Sequence, residues 1–99
     1  MLACNLNAIP TEVRPRYNQL VRQLRSAIEN RTELSDGYSY TLDSNIMSLV
    51  DLAEWITVER NCCLFLTFHI DVTAGASPQL TLRGPSGSKP ILDAALALL

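Results

Sequence analysis

The chain has 99 residues, 47% of them hydrophobic and 18% charged, with a net charge of −2. That length makes one domain spanning residues 1–99, and that balance makes it globular rather than disordered. The charge is too weak to argue for a nucleic-acid partner, and no apolar run approaches the roughly 20 residues of a membrane-spanning helix.

The charge is unevenly placed. Residues 1–31 carry Arg14, Arg16, Arg22, Arg25 and Arg31 against Glu12 and Glu29, while residues 32–99 carry Arg60, Arg83 and Lys89 against eight acids. A basic first segment and an acidic remainder are expected to attract each other, within one fold or between copies. Three cysteines, an odd number, with no secretory signal before them, argue against a stapled extracellular scaffold. The expected compartment is the cytoplasm, where thiols stay reduced.

Residues 1–10 read as irregular, ending at Pro10. Val13, Tyr17, Leu20, Val21, Leu24 and Ile28 then recur at helical spacing, with Thr11 as a cap and Pro15 in the first turn, where its missing N–H costs nothing. Asn30 to Asp36 reads as a loop closed by an Asp36-Gly37 turn. Tyr38, Tyr40 and Leu42 alternate with Ser39 and Thr41 as a half-buried strand.

A second helix is expected from about Ser44 to Arg60, with Ile46, Leu49, Val50, Ala53 and Ile56 as its core stripe. Trp55 and Val58 then fall on the opposite face. A tryptophan and a valine three residues apart on a polar face point to a second buried surface, which is expected to be a homodimer or partner interface. On the same wheel Arg60 points toward the core stripe.

Leu66, Phe68, Ile70 and Val72 alternate with Thr67, His69 and Asp71 as a strand. Thr73 to Pro78 is a hairpin loop, and Leu80 and Leu82 belong to the returning strand. Gly84-Pro85-Ser86-Gly87 turns the chain into a last helix with Pro90 in its first turn and Ile91, Leu92, Ala95, Leu96 and Leu99 on its apolar face. The order α-β-α-β-β-α predicts an α+β two-layer domain, a mixed three-stranded sheet packed with helices. A sheet so small leaves exposed edges, a second reason to expect a dimer.

Cys62 and Cys63 sit where the second helix meets the next strand, and Cys4 lies near the start. Thiolate is the soft ligand among side chains, so three of them suit a soft metal or metalloid. The spacing is not that of a zinc module, which leaves buried packing and a disulfide as the other readings. A helix C-terminus disfavours thiolate, so an activated nucleophile is less expected than a metal ligand, which is deprotonated by the metal itself. No catalytic residue is assigned. His69 reads as a solvent-facing histidine, and Gly84 to Lys89 lacks the spacing of a phosphate loop.

Glu59-Arg60-Asn61-Cys62-Cys63-Leu64-Phe65, followed by Gly84-Pro85-Ser86-Gly87-Ser88-Lys89, resembles a family of small uncharacterised bacterial proteins with the pattern Glu-Arg-x-Cys-Cys-Pro-Phe and then Gly-Pro-x-Gly-x-Lys. Cys4 and Asp36-Gly37-Tyr38 are similar too, so the resemblance spans nearly the whole chain. Leu64 stands where that family has proline. Members tend to be encoded near mercury or other heavy-metal resistance genes. The resemblance therefore implies thiol-based handling of a mercury-like soft metal by Cys4, Cys62 and Cys63. The alternative is a dimerisation or protein-interaction module with structural cysteines.

Overall fold

The computed structural model describes residues 2–96. A short turn of helix at Leu6–Ala8 precedes α1 (Arg14–Ala27), β1 (Ile28–Leu34), β2 (Gly37–Leu42), α2 (Leu49–Cys62), β3 (Thr67–Asp71), β4 (Gln79–Arg83) and α3 (Ser88–Ala95). The class is α+β, as the pattern of elements predicts. The sheet departs from expectation: it has four strands, in the order β1-β2-β4-β3, and every neighbouring pair is antiparallel. β2 and β3 are both antiparallel to β4 and so run parallel to each other. The helical crossover between them exists, but it steps over β4 instead of joining neighbours.

β1 is the strand that the sequence reads as a loop. Five of its seven residues are exposed, and they show no apolar alternation. Its core-side positions are Arg31 and Glu33, paired across to Tyr40 and Tyr38. They are covered by charge instead of hydrocarbon. Arg31 reaches Asp93 on α3 at 2.6 Å and lies 4.0 Å over the Tyr38 ring, while Lys89 reaches Glu33 at 2.8 Å. A charged edge strand also resists pairing with another chain.

The core is built from Tyr38, Tyr40 and Leu42 of β2, Leu80 and Leu82 of β4, Leu20, Leu24 and Ala27 of α1, Leu52 and Trp55 of α2, and Leu92 and Leu96 at the end of the chain. Gly37 begins β2 because a Cβ there would overlap the Leu82 carbonyl oxygen. The basic flank of α1 meets acids on α2: Arg16 forks onto Glu54 at 2.8 and 3.0 Å and also reaches Asp51 at 3.0 Å. The attraction expected between the two ends of the sequence thus acts within one chain.

α2 begins at Leu49, capped by Ser48, whose hydroxyl accepts the Asp51 N–H. It is rotated from the expected setting. The buried stripe is Leu52, Trp55, Glu59 and Cys62, while Ile46, Leu49 and Val50 are exposed. Trp55 is 3% exposed, with its ring edge-on to Phe68 at 5.7 Å between centroids. It is a core residue covered by its own chain and does not offer the outward surface expected of it. Val58 is half-buried against the cluster that holds Cys62 and Cys63. Arg60, one residue past the stripe, is exposed.

In α3, Gly87 takes the capping position in a left-handed conformation (φ 98°), and Ser88 lies inside the helix. Leu92 and Leu96 carry the apolar face, and Ala95 is exposed. Leu99 lies outside the described residues.

Candidate thiolate metal centre

The stripe that makes α2 buried also makes the site. Helical spacing places Glu59 and Cys62 on the same face as Leu52 and Trp55, pointing into the protein. α2 ends at Cys62, and Cys63 follows in a non-helical conformation, its N–H held by the Glu59 carbonyl at 2.7 Å. The helix stops between the two cysteines without a proline at position 64, and both are buried, Cys62 at 2% and Cys63 at 1% exposure. Leu64, the next residue, is 83% exposed.

The N-terminal arm then crosses the end of α2. The Asn5 N–H donates to the Cys62 carbonyl at 2.8 Å, satisfying one of the carbonyls that every helix end leaves without a partner. Ile9, 3% exposed, anchors the arm in an apolar cluster with Cys62 and Cys63, joined by Cys4, Val13, Tyr17, Val58, Phe65 and Leu66. Cys4 is brought over Cys63, and the two form a disulfide with 4.4 Å between Cα atoms. Cys62 stays a free thiol.

Glu59 is the polar centre of this cluster. It is 6% exposed, and its two oxygens face different partners. Oε2 accepts the Tyr17 hydroxyl at 2.7 Å, and Oε1 lies 3.1 Å from Cys63 Sγ. A disulfide sulfur has no proton to give, so this second contact becomes a hydrogen bond only when Cys63 is a thiol. Burial raises the Glu59 carboxyl above its ordinary range, opposed by the Tyr17 hydrogen bond. Burial, and then the negative charge of Glu59, push the Cys62 thiol up. The Tyr17 hydroxyl is raised by burial and by its bond to Glu59.

One ligand atom from each of Cys4, Glu59, Cys62 and Cys63 lies within 4.8 Å of the other three. Tetrahedral sulfur ligands about 2.3 Å from an ion stand roughly 3.8 Å from one another. The four donors lie in the distance range of ligands around one ion except for the bonded Cys4–Cys63 pair, and three sulfurs with one carboxylate form a soft donor set.

The structure thus brings together the three cysteines that the sequence singles out, although two of them are bonded to each other. It adds Glu59 and Tyr17, which sequence reasoning missed. The signal for Glu59 was its spacing, three and four residues before Cys62 and Cys63. His69 is 66% exposed on the polar face of β3, beside Asp71, and does not join the cluster. No helix among the described residues is long and apolar enough to cross a membrane. Compared with known proteins, the chain matches no family model, no curated protein and no solved structure.

The raised Glu59 carboxyl has a consequence for stability. A proton binds it more tightly in the folded chain than in the unfolded one, so its contribution is complete below the ordinary value of 4.5 and is lost as pH rises through the raised value. In Glu59→Gln, which keeps an acceptor for Tyr17, this downward limb will be flattened. Urea midpoints measured from pH 4 upward, for parent and variant, check it; parallel curves would show that Glu59 is not the group responsible.

Proposed function

We propose that the reduced chain binds one soft metal or metalloid ion through the thiolates of Cys4, Cys62 and Cys63, with Glu59 as a fourth donor. In this reading the Cys4–Cys63 disulfide is the oxidised form of the same site. The observation that carries it is the convergence of four donor atoms from the two ends of a 59-residue sequence separation. The resemblance to proteins encoded near mercury-resistance genes supports the same chemistry. Thiolate formation at a buried helix end is unfavourable without a counter-ion, and a soft cation supplies the compensating charge.

Native mass spectrometry under reducing conditions tests it, titrating mercury(II) and zinc(II) into the parent and the Cys62→Ser/Cys63→Ser variant. The parent is expected to take up one ion per chain and the variant none. Stoichiometric binding that survives the double substitution, or no binding by the parent, ends this reading.

A second reading has its own observation. Ile46, just before α2, and Leu49 and Val50 in its first turn are apolar and 40 to 76% exposed. We infer a homodimer formed through these residues, in place of the Trp55 face. Light scattering of the parent at rising concentration should show a dimer that Val50→Asp abolishes. A parent that stays monomeric at millimolar concentration rules it out.

A further inference from the structure

The two sulfurs of the disulfide are unequally reachable. Cys63 is 1% exposed and enclosed by the apolar cluster around Ile9. Cys4 is half-buried, on the arm that crosses the surface. It forms part of the wall of a groove of about 510 Å³ between that arm and α3. Leu2, Ala3, Leu6, Ile91 and Ala94 make most of that wall, and Tyr17 and Glu59 are its polar members. No basic side chain lines the groove itself, and Arg25 stands at its rim, its Nε donating to the carbonyl of Ala95 at 2.9 Å. A thiolate must reach a disulfide sulfur to open it, and the more accessible sulfur is the one attacked. The free thiol of Cys62, 2% exposed, does not line this groove and borders a separate pocket beside Asn5, Leu64 and Phe65.

We propose that the chain is a thiol–disulfide exchanger, in which a small thiol that carries no other charge enters this groove and attacks Cys4 Sγ as its thiolate. The thiol forms a bond to Cys4 while the Cys4–Cys63 bond breaks. Cys63 leaves as the thiolate and takes up the proton that the entering thiol gave up. Glu59 Oε1, 3.1 Å from Cys63 Sγ, then accepts a hydrogen bond from the new thiol. A second molecule of the same thiol attacks the first one's sulfur, releases Cys4 as a thiol and departs as the small-molecule disulfide. Two electrons pass from two small thiols to the protein, and both protein sulfurs end protonated.

The preference for a thiol with no other charge follows from the wall. The thiolate is the one charge that exchange requires; a further negative charge would give up water to the apolar wall, and Arg25 reaches only its Ala95 end. Opening the bond also frees two of the donors that a soft ion would use. The exchange itself does not depend on metal binding.

The test compares 2-mercaptoethanol with 2-mercaptoethanesulfonate, thiols of similar size that differ by one negative charge. Oxidised protein is treated with each, quenched with acid at intervals, and the first mixed disulfide is located by peptide mass spectrometry. The adduct is expected on Cys4. The neutral thiol, at equal thiolate concentration, is expected to react roughly fivefold faster or more, because the sulfonate must also shed water against the apolar wall. Ala94→Lys, which puts a cation into the groove wall, should narrow the gap between the two thiols, because it favours the doubly charged sulfonate thiolate more than the singly charged one. An adduct on Cys63 or Cys62, equal rates for the two thiols, or a bond that yields only when the chain is unfolded by urea each overturns the proposal. Metal binding is titrated on chain already reduced, so failure of one leaves the other standing.

Discussion

Cys4→Ala will lower the unfolding free energy of the oxidised protein by about 4 kcal/mol, the loop-closure entropy released when a bond across roughly 60 residues is lost. The bond joins the arm to the end of α2 across a sequence separation of 59. It restricts the unfolded chain far more than it restrains the folded one. In a chain of this size a change of about 4 kcal/mol moves the thermal midpoint by roughly 15 to 30 °C. Parent protein in reductant should unfold with the variant, and the variant itself should ignore reductant. The arm has other attachments, Ile9 in its apolar cluster and the Asn5 bond to the Cys62 carbonyl. They are short-range and few. If the variant lost less than about 1 kcal/mol, those contacts alone would be holding the arm, and the covalent bond would add little beyond them. A soft ion added to the reduced parent offers a second arm to the experiment: binding to the folded state alone raises the midpoint with ion concentration.

This dependence on a long-range bond explains what the sequence revealed and what it hid. Elements with strong local signals were legible. The alternation of Tyr38, Tyr40 and Leu42, the β3–β4 hairpin and the proline-started α3 stand where periodicity and turn residues put them. α1 follows its periodicity but starts at Arg14, with Val13 and not Thr11 at the capping position. β1 was not legible because its core-side residues, Arg31 and Glu33, are satisfied by Asp93 and Lys89 some sixty positions later. Local patterning has no access to such partners. The helix α2 failed differently. Two stripes at helical spacing compete on it, Leu49, Val50, Ala53 and Ile56 against Leu52, Trp55, Glu59 and Cys62. The sequence reading set Trp55 and Val58 on the face opposite the core stripe, although Glu59 shares the buried side with Trp55. A buried carboxylate is tolerated there only because Tyr17, forty-two residues earlier, donates to it. The cysteines were named from chemistry alone, and their convergence rests on the crossing of the arm over α2, which no spacing encodes.

Trp55→Ala will cost about 3 to 5 kcal/mol, in the range for deleting a large core side chain, while Trp55→Phe will cost about 1 kcal/mol or less. The difference comes from two opposing terms. Trp55 fills the space between α2 and the sheet and packs edge-on to Phe68, so alanine leaves a cavity behind. Yet its indole N–H is buried without a hydrogen-bond partner among the described residues. An unpartnered buried donor costs about 1 to 3 kcal/mol of desolvation, and phenylalanine removes that donor while keeping most of the ring. Denaturant unfolding of the two variants at one fixed, low concentration measures both terms. The same pair separates core from interface. A tryptophan at a subunit contact, once truncated, weakens association and leaves the isolated chain folded. A tryptophan in the core unfolds the chain itself, whatever its concentration. If Trp55→Ala left the unfolding midpoint unchanged, or Trp55→Phe cost as much as alanine, Trp55 would not be the core residue that this packing makes it.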